Sequence, residues 1–231
     1  MARRISRKSM KQDEFIEAAF DAGEWLEENW KTVAMAIAAV VAAVLLGYAW
    51  TVWSASRAAA AAAVFDEGYG LYTAAQIDGQ ASDPRYGEAL GHFEEAASRA
   101  GRAPLSDVAI LYQGLAHLRS GDPAQAVPEF ERVAESTDNG VMRSTAKANL
   151  AEALSDSGEV DRAAEVWREL VAAETAYYPT EHALLNLGQL LVDAGRGTEA
   201  RDVLREVVDD YSQTTSGRTA QTLLDGLDSD Q

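Results

Sequence analysis

The side chains that could carry out chemistry are few in this sequence. His92, His117 and His182 are the only histidines, they lie far apart, and none belongs to a zinc-binding motif such as H-E-x-x-H. Cysteine is absent, which excludes disulfides and thiolate ligands. The sequence therefore predicts no metal site.

Carboxylates and glycines also fail to form a recognisable active site. Glu94-Glu95 and Asp209-Asp210 are adjacent in predicted helices, so their side chains point in different directions and do not make an acid–base pair. Gly68-Tyr69-Gly70 and Gly195-Arg196-Gly197 lack the preceding strand and the further residues of a phosphate-binding loop. We predict no catalytic or cofactor-binding residue, and hence a protein that is not an enzyme.

One long segment near the N-terminus carries no charge and predicts a membrane span. Residues 32–56 read TVAMAIAAVVAAVLLGYAWTVWSAS. As a helix, residues 32–53 extend over about 33 Å, slightly more than the roughly 30 Å of hydrocarbon in a bilayer. Trp30 lies at one end and Trp53 at the other, where amphipathic aromatic rings favour the headgroup level. The alternatives are a cleavable signal peptide, suggested by Ser54-Ala55-Ser56, and a buried helix of a soluble core.

Basic residues predict the direction of this span. Six precede it, whereas Arg57 is alone just after it and the next basic residue is Arg85. Because lysine and arginine flanks remain on the cytoplasmic side, residues 1–31 should be cytoplasmic and residues 54–231 should cross. The opposite orientation remains an alternative, because the bias depends on few residues.

An amphipathic helix is predicted immediately before the span. Residues 13–30 (DEFIEAAFDAGEWLEENW) repeat apolar side chains at helical spacing, with acidic residues on the remaining positions. This helix could lie on the cytoplasmic leaflet, dock on a partner protein, or simply continue into the span. Its acidity opposes adhesion to anionic lipid.

The net negative charge of the chain comes from the part beyond the span. Residues 58–231 contain 30 acidic and 13 basic residues, which accounts for the whole net charge of −17. Such a domain lacks a surface that could neutralise phosphates, so we expect no nucleic-acid binding. It should be soluble and should disfavour acidic partners.

The region beyond the span repeats itself every 37 residues. Segments starting at Ser120, Ser157 and Ala194 align as SGDPAQAVPEFERV, SGEVDRAAEVWREL and AGRGTEARDVLREV. Four columns of the alignment carry the same kind of residue: a turn glycine (Gly121, Gly158, Gly195), a small residue upstream (Gly114, Ala151, Gly188), an alanine (Ala126, Ala163, Ala200) and a large apolar residue (Phe130, Trp167, Leu204).

This register is that of a helical hairpin. Small residues such as Gly114 and Ala126 allow two helix backbones to approach, and a large residue such as Phe130 should fill the gap beside the next hairpin. The turn glycine accepts the positive φ that ends a helix, and Pro123 suits a first helical turn. A single hairpin cannot bury its apolar face, so the hairpins must stack.

The pattern resembles the tetratricopeptide repeat. We therefore predict an all-α protein, in which the transmembrane helix is followed by an α-solenoid of about four hairpins. The first hairpin is degenerate: Ala89 and Phe93 are in register on its second helix, but its first helix, around residues 64–76, lies across a polar loop. Residues 216–227 should form a capping helix. The alanine run at residues 58–63 should continue the span toward the first hairpin.

In arrays of this type the first helix of each hairpin lines a concave groove that suits an extended peptide or a partner helix. Carrying the register across gives the predicted lining: Leu111, Leu115 and Arg119 from one hairpin, Glu152, Ser155 and Asp156 from the next, and His182, Leu185, Gln189 and Val192 from the last.

The complete layout resembles the YfgM-like family of bacterial inner-membrane proteins. The features that carry the resemblance are the basic start ARRISRK, the motifs DEF and WLEENW, one span, and the repeats that follow. The resemblance implies a single-pass inner-membrane protein with a periplasmic domain of residues 54–231. It implies protein partners, namely Sec translocon subunits, a periplasmic chaperone and exported chains, and no cofactor or small-molecule substrate. An adaptor in envelope assembly or cell division remains the alternative.

Overall fold

The computed structural model describes residues 7–79, 82–101, 103–173 and 177–229, with the side chains of residues 7–24 and of residue 26 left out of the description. Within these residues the chain forms nine α-helices and no strand. The helices are α1 (Arg7–Asp78), α2 (Pro84–Ala100), α3 (Pro104–Ser120), α4 (Pro123–Ser136), α5 (Gly140–Asp156), α6 (Val160–Ala172), α7 (Thr180–Asp193), α8 (Gly197–Tyr211) and α9 (Thr215–Ser229). The chain divides into two units, residues 1–56 and residues 57–231.

The N-terminal unit consists of the first part of α1. Its apolar side chains are exposed along the helix, for example Val40 at 64% and Leu46 at 72%. Among the described residues, one helix is long and apolar enough to cross a membrane, and it contains residues 32–53. Most side chains of the predicted amphipathic helix at residues 13–30 lie outside the described residues, so its contacts stay a prediction.

The second unit is the predicted stack of helical hairpins. The end of α1 packs on α2, where the Phe65 and Phe93 ring centroids lie 5.5 Å apart. Helices α3–α4, α5–α6 and α7–α8 form three further hairpins, with α9 packed on α7 and α8. The capping helix was predicted at residues 216–227 and spans Thr215–Ser229. The all-α solenoid with about four hairpins is therefore confirmed.

The turn glycines have the backbone conformation that the sequence predicts. Gly121, Gly158 and Gly195 have φ of +83°, +81° and +72°. In each turn the amide after the glycine donates to a carbonyl five residues back: Asp122 to His117 at 2.9 Å, Glu159 to Leu154 at 2.8 Å, and Arg196 to Leu191 at 2.8 Å. The same helix-ending motif thus recurs with the 37-residue period, because only glycine enters the left-handed region at low cost.

In two hairpins the large residue of the repeat packs directly on the small residue that precedes it. A Cβ added to Gly114 would lie 2.6 Å from the Phe130 ring, and one added to Gly188 would lie 2.5 Å from Leu204. Each large side chain therefore sits on the glycine of its own hairpin, where the missing Cβ leaves room for it. The sequence prediction that Phe130 fills a gap beside the next hairpin did not include this closer contact.

The first hairpin contains the same contact at an unexpected position. Spacing by 37 residues from Gly114 selects Ile77, whose side chain is 84% exposed. The structure instead places Gly68 against Phe93, at 3.1 Å from its Cβ position to the ring. The glycine and the large residue are thus 25 positions apart in this hairpin and 16 apart in the hairpin of Gly114 and Phe130. The nine additional residues lengthen the connection without removing the contact.

Candidate interaction groove

A cleft of about 530 Å³ opens between α5 and α7, the first helices of two successive hairpins. Trp167 of α6 and Tyr178, which lies just before α7, supply its aromatic surface. Their ring centroids are 6.0 Å apart. Trp167 is 6% exposed, whereas Tyr178 is half-buried, so Tyr178 offers more of its ring to the cleft.

The two walls of the cleft carry equivalent positions of the repeat. Asn149, Glu152 and Asp156 on α5 lie 37 residues before Asn186, Gln189 and Asp193 on α7, and all six line the cleft. In each helix the last two residues are four positions apart, so they share one face. The walls are consequently rich in carboxylates and amides in matching rows.

Hydrogen bonds hold part of this lining in place. Asn186 donates from Nδ2 to the Tyr178 hydroxyl at 3.2 Å, and Gln189 donates from Nε2 to the Asp193 carboxylate at 2.8 Å. Burial raises the pKa of Tyr178 above its ordinary value, with the Glu152 charge adding to the shift and the Asn186 hydrogen bond opposing it. The Tyr178 hydroxyl therefore stays protonated at neutral pH.

The structure brings some of the predicted groove residues together. Glu152, Ser155, Asp156 and Gln189 all line the cleft between α5 and α7. Arg119 instead lines a separate cleft beside Tyr86 and Leu118. Burial raises the pKa of Tyr72, and the neighbouring Arg119 guanidinium opposes that rise.

The remaining predicted residues lie elsewhere on their helices. Leu111 is 8% exposed and belongs to the main hydrophobic core. Leu115, Leu185 and Val192 are half-buried against that core, and His182 is exposed. Whether these residues contact a partner remains a prediction.

Sequence reasoning did not include several residues of the cleft. Asn149, Asn186 and Asp193 could have been found by extending the 37-residue alignment along the same helix face. Tyr178 carries no such signal, because it lies in a segment between repeats. It packs against Trp167 and lines the cleft. Its neighbour Tyr177 lies against Gly140.

The residues that the sequence analysis considered for chemistry have the following surroundings in the structure. Nδ1 of His92 lies 3.6 Å from the Glu67 carboxylate at the surface. In the described part of the chain, no three side chains among His, Cys, Asp and Glu come together in a way that could hold a metal ion. Gly68 packs on Phe93, and Gly195 ends a helix.

The sequence profile of the tetratricopeptide repeat-like domain matches residues 23–229, so the chain belongs to this family. Repeat arrays of this kind act in general as scaffolds for protein interactions. No curated protein matches the chain in a sequence search.

Solved structures share the fold at low sequence identity. A Podosopora anserina protein described as a kinesin light chain with nearly identical TPR-like repeats is 20% identical, with a TM-score of 0.57 over 70% of this chain and 84% of that one. A tetratricopeptide repeat protein from Parabacteroides merdae is 14% identical, with a TM-score of 0.54 over 72% of this chain and 61% of that one. These likenesses concern the fold alone.

Proposed function

We propose that this protein is a membrane-anchored protein-interaction module of the bacterial inner membrane. Residues 32–53 span the bilayer, residues 1–31 are cytoplasmic, and the repeats of residues 54–231 work in the periplasm. The observation that carries the proposal is that one family profile includes both the exposed apolar helix and the repeats. The matched residues 23–229 include both the apolar segment of residues 32–53 and the repeats.

The exposure of the apolar side chains supports insertion into lipid. None of the window that qualifies as a span is buried within the protein. A contiguous apolar surface of this size is unstable in water and calls for lipid or a partner. The excess of basic residues before the span supports a cytoplasmic N-terminus.

The partners we propose are Sec translocon subunits, a periplasmic chaperone and exported chains. The YfgM-like layout supports this choice: a basic start, the motifs DEF and WLEENW, one span and a repeat domain. Anchoring beside an export channel would raise the local concentration of the repeats around an emerging chain without requiring tight contacts. A scaffold with a modest groove could then capture chains or recruit a chaperone.

Two experiments test this function. Protease added to spheroplasts should degrade the repeat domain, and protection beside an accessible periplasmic control would contradict the orientation. A photocrosslinker placed at Ser155 in intact cells should capture translocon subunits or a periplasmic chaperone. The matched control is the same crosslinker at Glu165, an exposed residue on the second helix of that hairpin. Equal capture of unrelated proteins from both sites would contradict the proposed partners.

A further inference from the structure

The acidic residues of the repeat domain differ in how they are neutralised. Four carboxylates on the second helices and the hairpin ends have basic partners: Glu131 with Arg162 at 2.6 Å, Glu169 with Lys147 at 2.7 Å, Asp161 with Arg196 at 2.8 Å and Glu199 with Arg196 at 2.7 Å. Among the described residues, neither Glu152 nor Asp156 has a lysine or arginine within ion-pair distance. Glu152 and Asp156 thus bring negative charge to the cleft without a basic side chain beside them.

The chemistry of the cleft defines which ligand would complete it. In the described part of the chain, no basic side chain lines the space between α5 and α7, whereas Glu152, Asp156 and Asp193 all contribute carboxylates. A bare metal ion would leave the aromatic surface of Trp167 and Tyr178 unused. A planar guanidinium on an aliphatic stem satisfies both parts, because it donates several hydrogen bonds to carboxylates and stacks on an aromatic ring.

We propose that the cleft between α5 and α7 binds an extended partner segment through an arginine side chain, whose guanidinium pairs with Glu152 and Asp156 and stacks on Tyr178. This inference rests on the proposed function, because it names the chemistry of the partner at that groove. The preference for arginine does not extend to the preceding hairpin. Arg119 on α3 lies 37 residues before Asp156, so at the equivalent position a positive charge repels the same cation. The arginine of the partner is therefore directed to the hairpins of α5 and α7.

Peptide binding to the full chain in neutral detergent micelles tests the proposal. The probe is a fluorescent, acetylated and amidated nonapeptide of serine, glycine and valine with one central arginine. Matched probes replace the arginine with lysine, with neutral citrulline or with glutamate. We expect the arginine peptide to bind about tenfold more tightly than citrulline, with lysine between them and no binding of the glutamate peptide.

A pair of variants assigns the binding to the cleft. Glu152→Gln with Asp156→Asn should weaken binding of the arginine peptide about tenfold, because it removes both uncompensated carboxylates. The control, Glu165→Gln with Asp209→Asn, removes the same two charges from exposed sites on the second helices, and we expect a change below about threefold. All four residues are exposed, so both variants should keep the wild-type melting curve.

Three results would overturn the proposal. Equal loss of affinity in the two variants would show that the peptide binds to the general negative charge of the domain. Equal affinity for the arginine and citrulline peptides would show that the positive charge does not contribute to binding. Tighter binding of the lysine peptide than of the arginine peptide would contradict the stacking on Tyr178. Crosslinking in cells separates this inference from the proposed function. If the Glu152→Gln, Asp156→Asn variant captures translocon subunits or a chaperone as well as wild type, the arginine site is wrong and the function stands. If the arginine peptide binds specifically but no such partner is captured, the function is wrong and the site stands.

Discussion

The first hairpin and the later hairpins of Phe130 and Leu204 use one packing contact, a large side chain on a glycine, in different surroundings. In the later hairpins, Phe130, Trp167 and Leu204 belong to a core that is otherwise mainly aliphatic. In the first hairpin, Phe93 sits among other rings, with centroids 5.5 Å from both Phe65 and Tyr112. The comparison shows that the hairpin tolerates nine additional residues and a different core as long as a small residue faces a large one.

The largest expected effect comes from removing the large side chain. Trp167→Ala and Phe93→Ala should each lower the free energy of unfolding by about 3–5 kcal/mol, because both side chains are buried. Urea titration of the full chain in detergent, followed by circular dichroism, measures the loss. If Phe93→Ala costs less than about 1 kcal/mol while Trp167→Ala costs the full amount, the first hairpin does not depend on the same contact.

Filling the glycine sites should have the next largest effect. Gly114→Ala and Gly68→Ala should each cost about 1–3 kcal/mol, because the new methyl group overlaps Phe130 or the Cβ of His92. Gly91→Ala is the control, since nothing lies within 4 Å of its Cβ position in α2. It should stabilise the chain by about 0.5–1 kcal/mol through helix propensity. Stabilisation by Gly68→Ala as well would show that Gly68 is not the counterpart of Gly114.

Substitutions of the turn glycines should lower the free energy of unfolding by a smaller amount. The loss should be equal in the first hairpin and in the later hairpins. Gly158→Ala and Gly79→Ala place a side chain at φ of +81° and +66°, in open space. We expect each to cost about 1–2 kcal/mol through backbone strain alone. Asparagine at the same positions should recover part of the loss, because it tolerates this conformation better than alanine. Unequal costs in thermal melts would show that one turn is under an additional constraint.

The smallest effect concerns the response to acid of the Asp83 cap in the first hairpin. Asp83 caps α2 by accepting from the Arg85 amide at 2.9 Å, whereas the residues before α4, α6 and α8 make no such side-chain bond. The Arg85 side chain and amide lower the pKa of Asp83 from 3.8 to about 2. Its contribution to stability is therefore complete above pH 3.8 and is lost as the pH falls through about 2.

Asp83→Asn tests this acid sensitivity. Asparagine can still cap the helix but carries no titrating charge, so the variant should lose less stability than wild type between pH 4 and pH 2. Asp122→Asn at the start of α4 is the matched control, because the Asp122 side chain makes no capping hydrogen bond. Carboxyl chemical shifts of Asp83 followed by NMR would check its pKa directly. A value near 3.8 would show that the pairing with Arg85 is absent in solution.

Much of the repeat domain could be predicted because its signals are local in the sequence. The turn glycines, the small and large positions and Pro123 at the start of α4 recur or act within a few residues, so one chain is enough to find them. The same alignment placed Glu152, Ser155, Asp156 and Gln189, which line the cleft between α5 and α7. Leu111 shows what the alignment does not determine. Its position on a helix face does not distinguish a residue of the core from a residue of a groove.

The sequence by itself determined the charge-free segment of residues 32–56, the all-α fold and the period of 37 residues. Only the tertiary structure decided that Gly68, and not Ile77, receives Phe93, and that Tyr178 lines the cleft beside Asn186. The physical reason is that composition and periodicity act along the chain, whereas a packing partner is chosen by shape among residues of any separation. An insertion changes that separation, and a segment between repeats has no counterpart in the other repeats. In both cases the 37-residue period does not identify the packing partner.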